Sequence, residues 1–371
     1  MINADFVVIG AGIAGASLAY ELASHGRVIV LEIESQPGYH STGRSAALFS
    51  EIYGNETVRA LSRASREFFT SPPEGFVPHA ILKPRGSLFI ANEAQLDAFD
   101  TLRRAPDVAR HTRALSAEQA LNLVPVLKRE WLASAMLEEG SQDMDVHALH
   151  QGYLRGMKSR GAMLMCSSGV QSIAHAGGEW TIVAGGQQWF APVVINAAGA
   201  WADDIASLAG VAPIGLEPRR RTALLIDPPE NMAIDAWPMV LDVGDTFYFK
   251  PDAGRLLLSP ADETPSPPCD AQPDELDVAI AVDRFEQATS IVVQQVKHRW
   301  AGLRSFVADR SPVIGFDPVA AGFCWLAGQG GYGIQTAPAA ARLAAALITD
   351  RAPDEQLLPH VPALSPRRLR P

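Results

Sequence analysis

With 371 residues the chain is long enough to bury a large core and to form two domains, or one large one with an insertion. Its 31 basic and 41 acidic residues give a formal charge of −10, which argues against nucleic acid or an anionic membrane as the main partner. Three cysteines, Cys166, Cys269 and Cys324, show no metal-type spacing, which argues against a disulfide framework or a zinc site and fits a reducing cytoplasm. The chain enters a strand-like run by Ala4, so no secretory signal core is expected, and no uncharged stretch reaches membrane-spanning length.

The opening segment "ADFVVIGAGIAGASLAYELASHGRVIVLE" predicts a strand over 4–9, a glycine turn, a helix to about His25, a stop at Gly26 and a second strand ending in Glu32. Gly10, Gly12 and Gly15 match the dinucleotide fingerprint: the first permits the turn, the second admits pyrophosphate to the backbone, and the third lets helix and strand pack closely. The helix N-terminus then faces phosphate. Glu32 ends the second strand 20 residues after Gly12, where a carboxylate accepts hydrogen bonds from an adenosine ribose. NAD and FAD share that ADP half, so this unit does not choose between them.

Next comes "YHSTGRSAALFSEIYG", over 39–54, whose first half is polar and whose second half carries Leu48 and Phe49. An amphipathic helix is predicted over 58–69 and is broken by "SPPEGFVP". A strand-like "LKPRGSLFIAN", helical "EAQLDAFDTLRR" and "SAEQALNLV", and the helix "VHALHQGYLRGMKSRG" follow; in the last, Val146, Leu149, Tyr153 and Met157 share a face. Residues 163–196 are strand-rich with Gly-Gly turns, and "VVINAAGAWADDIASLAG" again runs strand, small-residue turn, helix. Strands recur over 217–258, and a Pro- and Asp-rich loop precedes a helix predicted near 276–297. From Trp300 the chain reads "WAGLRSFVADRSPVIG". It ends with a strand to Ala327, a glycine turn and an alanine-rich helix. Alternation of βαβ-type and antiparallel-type segments predicts two interleaved domains, with no internal repeat.

Three motifs in order, "GAGIAG", "NAAGAW" and "WAGLR…D..P.IG…GQGGYGIQ", resemble the FAD-dependent D-amino acid oxidase superfamily over nearly the whole chain. "PGYHSTGRSAA", "ALHQGYLRG" and "LSPRRL" resemble its bacterial D-arginine dehydrogenase branch in particular. The resemblance implies an α/β fold: a Rossmann-like FAD-binding domain over 1–75, 145–215 and 300–371, interleaved with an α+β substrate domain over 76–144 and 216–299 built on an antiparallel sheet. It implies noncovalent FAD, because no cysteine lies in the loops expected near the flavin and Cys324 sits inside a strand as a core thiol.

For FAD the resemblance assigns Gly10, Gly12, Ile13, Ala14, Gly15 and Glu32; Ser41, Thr42, Arg44, Ser45, Ala46 and Ala47; Val170, Ala198, Gly199, Trp201 and Gly302; and Gly330, Gly331, Tyr332, Gly333, Ile334, Gln335 and Thr336. The last group would bring backbone N–H groups and a helix N-terminus to the flavin side where negative charge grows on reduction.

For substrate it assigns Arg221 and Arg304 as carboxylate ligands, since a planar guanidinium meets a carboxylate through two parallel hydrogen bonds. Arg219 and Arg220 read as solvated or paired charges, with the register uncertain by one residue. Tyr53 and Tyr248 match pocket tyrosines, and Met239, Leu241 and Gly331 belong to the same pocket. The implied chemistry is transfer of the Cα hydride to flavin N5, leaving an imino acid that water hydrolyses to a 2-oxo acid and ammonia.

Two positions depart from the D-arginine dehydrogenase pattern: Leu48 stands for histidine and Ser87 for glutamate. Burying a cationic side chain without a counter-charge is costly, so a neutral, apolar or small polar D-amino acid is expected, unless Glu51 faces the pocket. Oxidation of a 2-hydroxy acid or an N-substituted amino acid, or a flavin-binding subunit without catalysis, remain open alternatives. A NAD-dependent dehydrogenase would not need the C-terminal glycine turn. The electron acceptor, whether oxygen, quinone or dye, and the oligomeric state are not legible.

Overall fold

The structure, a computed structural model, describes residues 2–370. Its first sheet has six strands in the order Met163–Met165, Val28–Leu31, Phe6–Ile9, Val193–Asn196, Phe323–Ala327 and Val313–Phe316. All pairs are parallel except the last. "FVVI" and "VIVL" are buried throughout because the sheet is covered on both sides, which favours continuous rather than alternating apolar runs. One cover is helical, built from Ile13–Leu22, Glu56–Thr70, Val146–Ser159 and Gly333–Ile348 around Leu18, Leu61, Tyr153 and Leu343. The other is a four-stranded sheet of Ile2–Asn3, Gln187–Ala191, Glu179–Ala184 and Val170–Ala176, with Trp180, Trp189 and Trp325 between the layers. In the helix Val146–Ser159, Leu149, Tyr153 and Met157 are buried as the pattern predicts.

The second sheet is built around Glu217–Ile226, Arg255–Ser259, Tyr248–Asp252, Met239–Asp242, Ser87–Ala91, Ser134–Glu138 and Thr112–Leu115, in that order. Val296–Phe306 pairs along the other side of Glu217–Ile226. The sheet is antiparallel apart from the parallel pair of Met239–Asp242 with Ser87–Ala91. Alternation divides its two faces. Leu88, Val240, Leu224, Phe249 and Leu258 point into a core closed by Val278, Ala281 and Phe285 of the helix Glu275–Ala288. Met239, Leu241, Tyr248, Leu225 and Leu257 cluster on the other face with Ala46 and Leu48 of the polar-to-apolar loop. Arg221 shares that second face, two and four residues before Ala223 and Leu225.

The helix predicted over 276–297 ends at Ala288. Thr289 turns the chain into an extended conformation, its hydroxyl donates to the Phe285 carbonyl at 2.8 Å, and the strand Val296–Phe306 takes over. The β-branched run "IVV" and Val296 favour that extended course.

Candidate active site

One continuous cavity crosses the seam between the two sheets. At one end it meets the first βαβ unit. The helices Ile13–Leu22 and Gly333–Ile348 both begin beside it with no cap from their own N-cap residue; Thr42 takes the Ile13 N–H, and the remaining first-turn amides are offered as donors. Gly10 has φ +101°, and a Cβ there would lie 2.5 Å from the Ala197 carbonyl oxygen. A Cβ on Gly15 would lie 1.9 Å from the Gly10 carbonyl oxygen, so only glycine lets helix and strand close. Glu32 is buried, and its carboxylate accepts from the Ala11 and Glu34 N–H groups at 2.8 and 3.0 Å. This anchors the acid at the end of its strand, facing the turn. Ile33, Asp204 and Leu208 complete the far rim.

Gly10, Gly12, Ile13, Ala14, Glu32, Ser41, Thr42, Ser45, Ala46, Ala47, Val170, Ala198, Gly199, Trp201 and Gly302 line the cavity, as do Gly330, Gly331, Gly333, Ile334 and Gln335. Gly15, Tyr332 and Thr336 lie behind the wall: Tyr332 stacks edge-on against Tyr53, and the Thr336 hydroxyl donates to the Tyr332 carbonyl at 2.9 Å. Thr42 Oγ1 accepts from the Ile13 N–H at 3.0 Å, and the Ser41 hydroxyl donates to the Leu303 carbonyl at 2.7 Å. Both hydroxyls thus also fix the loop itself. Arg44 borders the cavity, but its guanidinium is engaged by the carbonyls of Ala271 and Ala301 and by Asp270. Its role in this structure is to tie the loop to the second sheet.

At the other end Arg221 and Arg304 fall on one face of adjacent strands, since Arg221 pairs with Gly302 and Arg219 with Arg304 in the antiparallel register. Arg221 is 7 % exposed. Its Nε donates to the Asp262 carbonyl at 2.8 Å, Nη2 donates to Glu263 at 3.2 Å, and Nη1 is buried without a partner. Arg219 pairs with Glu217 and Arg220 with Asp277, so of the three only Arg221 lines the cavity. Arg304 Nη1 donates to the Tyr53 hydroxyl at 3.2 Å. Burial opposes its charge, but the phenol oxygens of Tyr53 and Tyr248 and the Asp245 carboxylate outweigh that and hold the guanidinium protonated. A Cβ on Gly331 would lie 2.9 Å from the Arg304 Cζ, so glycine there lets the guanidinium rest on the turn.

Tyr53, Tyr248, Leu48, Ser87, Met239 and Leu241 line this same end. Glu51 does not: it is buried against Arg66 and His111, at 2.5 and 3.5 Å. Sequence reasoning missed Ser50, Phe89, Ala223 and Asp245, which also line it. The strand alternation that places Ser87 would have found Phe89, and that of Arg221 would have found Ala223. Asp245 stands exposed on a turn with φ +50°, fixed by Asp242, which accepts from the Thr246 N–H at 3.1 Å. No sequence signal marked it.

The arrangement fits a long dinucleotide cofactor, with the start of Ile13–Leu22 available to its phosphates and the start of Gly333–Ile348 available to its ring end, and it leaves a carboxylate-binding end with apolar walls. No cysteine lines the cavity. Cys324 is fully buried in its strand, and burial pushes its thiol up to about 12. Among the described residues no helix is long and apolar enough to cross a membrane, and no cluster of three or more His, Cys, Asp or Glu side chains is placed to hold a metal.

Residues 5–347 match the family model for FAD dependent oxidoreductases. The bovine (Bos taurus) FAD-dependent oxidoreductase domain-containing protein 1 is 26 % identical over 405 aligned positions, covering 94 % of this chain and 82 % of the relative. Glycine oxidase from Geobacillus kaustophilus superposes with a TM-score of 0.84 at 22 % identity, over 97 % of this chain and 98 % of that one. L-proline dehydrogenase from P. horikoshii superposes with a TM-score of 0.85 at 22 % identity, over 99 % and 98 %.

Proposed function

The chain belongs to the family of FAD-dependent oxidoreductases, and we propose that within it the enzyme oxidises the Cα–N bond of a neutral α-amino acid, with the D configuration preferred. Bound FAD supplies the hydride acceptor. The observation that carries the reading is the buried, unpartnered Nη1 of Arg221, a residue that lines the cavity end shared with Arg304. A buried cationic donor without a partner calls for an anion, and a carboxylate offers it two acceptors in the plane of the guanidinium.

The chain's own groups then set the rest. Arg221 and Arg304 hold the carboxylate, and Tyr53 and Tyr248 close around it, so the bound acid has one orientation and its Cα–H one direction. Leu48, Met239, Leu241, Phe89 and Ala223 offer the side chain an apolar wall. Glu51 is turned away, and Asp245 is exposed at the mouth, so a cationic side chain buried against that wall would lack a counter-charge, at a cost of several kcal/mol. The preference for D rests on the motifs shared with the D-amino acid oxidase superfamily. The likeness to a proline dehydrogenase supports a second reading, in which the nitrogen is N-substituted or part of a ring.

The test is anaerobic titration of the purified flavoprotein with D-methionine, D-alanine, D-proline, L-proline, sarcosine, D-arginine and D-lactate, following the flavin absorbance. Bleaching by a neutral D-amino acid, with ammonia released, is the expected result. Bleaching by sarcosine or proline without ammonia supports the second reading. Bleaching by D-lactate alone would sink both, and D-arginine outpacing every neutral compound would sink the side-chain assignment.

A further inference from the structure

Ser50 is the polar group of the substrate end whose hydrogen bonds lead directly from the cavity to a buried acid. Its hydroxyl lies 2.8 and 3.1 Å from the two carboxylate oxygens of Glu138, to which it donates, and it accepts from the Ile52 N–H at 3.3 Å. A hydroxyl has two acceptor lone pairs, so one is left for a donor in the cavity. Ser50 lines that cavity; Glu138, 2 % exposed, sits one hydrogen bond behind it, directly across the strand pair from Ser87.

The surroundings of Glu138 are sparse in charge. The loop over 50–52 supplies the Glu51 N–H, which donates at 3.2 Å, and the Glu51 carboxylate, which is bound to Arg66 of the helix Glu56–Thr70 and lies 3.5 Å from His111 of Pro106–His111. Ser87 and Thr112 face it from the neighbouring strands. Gln335 of Gly333–Ile348 accepts from the Ser50 N–H at 3.1 Å and adds no charge.

We propose that Ser50 and Glu138 form a proton relay, in which the substrate nitrogen passes a proton to Ser50 Oγ while the Ser50 hydroxyl proton moves to a Glu138 oxygen. This rests on the reading that the substrate is an amino acid. One N–H and one O–H bond break and two O–H bonds form. The nitrogen goes from ammonium to neutral amine, Glu138 goes from carboxylate to acid, and the nitrogen lone pair becomes free to form the imine. Leu48 gives this wall no imidazole, and the Ser50 hydroxyl reaches a buried carboxylate directly. Burial, against the pull of the hydrogen bonds from Ser50 and Glu51, lifts the Glu138 carboxyl to about 7, so it can take up and return a proton near neutral pH with little bias.

The test uses the FAD-loaded enzyme and whichever of D-methionine, D-alanine, D-proline, L-proline and sarcosine bleaches the flavin fastest. The anaerobic reduction rate is followed from about pH 5.5 to 9.5. The wild-type rate should fall roughly tenfold per pH unit below about 7. Glu138→Gln should move this limb to higher pH, where the substrate ammonium itself deprotonates, and react at least about 100-fold more slowly at pH 8. Ser50→Ala should do the same and Ser50→Thr should restore both, while the affinity for benzoate, which has no amine, stays unchanged in every variant that folds. Should Glu138→Gln fold poorly, the serine pair carries the test. An unchanged limb in Glu138→Gln, a full rate in Ser50→Ala, or a shifted limb in Asp245→Asn instead would overturn the relay and leave the amino-acid reading standing. If none of the five compounds bleaches the flavin, both fall.

Discussion

Arg221 and Glu263 stand 3.2 Å apart, and Glu263 is gripped from its other side by Arg310 at 2.8 and 3.0 Å. The pair orients the Arg221 guanidinium, while its Nη1 stays unpartnered. Arg310 and Arg221 together hold the Glu263 carboxyl below its usual range despite partial burial, so the brace persists at ordinary assay pH.

Replacing Arg221 with lysine keeps the charge and removes the planar fork. The dissociation constant for benzoate should rise roughly 10- to 100-fold, the equivalent of about 1.5–3 kcal/mol, with the FAD content unchanged. Spectral titration of the bound flavin measures it. An affinity within about twofold of wild type would remove Arg221 from the carboxylate site.

Two glycines should fail differently. At Gly15 an alanine Cβ would lie 1.9 Å from the Gly10 carbonyl oxygen, so Gly15→Ala should yield protein with little bound FAD and a lowered melting temperature. At Gly331 the Cβ would instead meet the Arg304 guanidinium at 2.9 Å. Gly331→Ala should keep its flavin and lose benzoate affinity. The ratio of flavin to protein absorbance, read beside a benzoate titration, separates the two outcomes.

No cysteine lines the cavity, and Cys324 is sealed in its strand. Precipitation of the holoenzyme with trichloroacetic acid should therefore leave all the FAD in the supernatant, with a colourless pellet. A yellow pellet would mean a covalent bond.

Glu138 carries a stability cost whose sign can be worked out. Its folded pKa, about 7, lies above the ordinary carboxyl value of 4.5, so the folded state prefers the protonated form. The cost of ionising it begins as pH rises past about 4.5 and is complete above about 7, at roughly 3 kcal/mol. Glu138→Gln should thus melt at a higher temperature than wild type at pH 8 and gain little at pH 5. Thermal unfolding at the two pH values checks this, and it makes the relay residue one that lowers stability in return for reactivity.

Ser87 faces Glu138 across the strand pair, with its hydroxyl 2.7 Å from that of Ser141. Ser87→Glu alone would set two buried carboxylates opposite each other, which is unfavourable. D-arginine turnover should therefore appear in Ser87→Glu combined with Glu138→Gln and be weak in Ser87→Glu alone. Steady-state kinetics with D-arginine on both variants decides it.

Much of the architecture was legible because local patterns carry it. The continuous apolar strands, the glycine turn at Gly10 to Gly15 and the strand, turn and helix around Ala327 to Thr336 each follow from a short stretch of residues. The end of the helix at Ala288 was misjudged because "SIVVQQV" has no proline or glycine stop, and pairing of the next strand with Glu217–Ile226 decided it. Arg44 lines the cavity, and the partners that fix its guanidinium, Asp270, Ala271 and Ala301, lie more than 220 residues away, beyond any local pattern.

By itself, the sequence determined a dinucleotide unit, the glycines that only a bare backbone can satisfy, and two arginines on strands that alternate toward one face. Those are statements about neighbours a few residues apart, where sterics and periodicity act directly. Only the tertiary structure decided which arginine of three lines the cavity, that Glu51 turns away to Arg66, and that Ser50 meets Glu138 across 88 positions of chain. Burial and hydrogen-bond partners of that kind come from how the two sheets close on each other, and desolvation, which lifts the Glu138 carboxyl toward neutrality, exists only once they have closed.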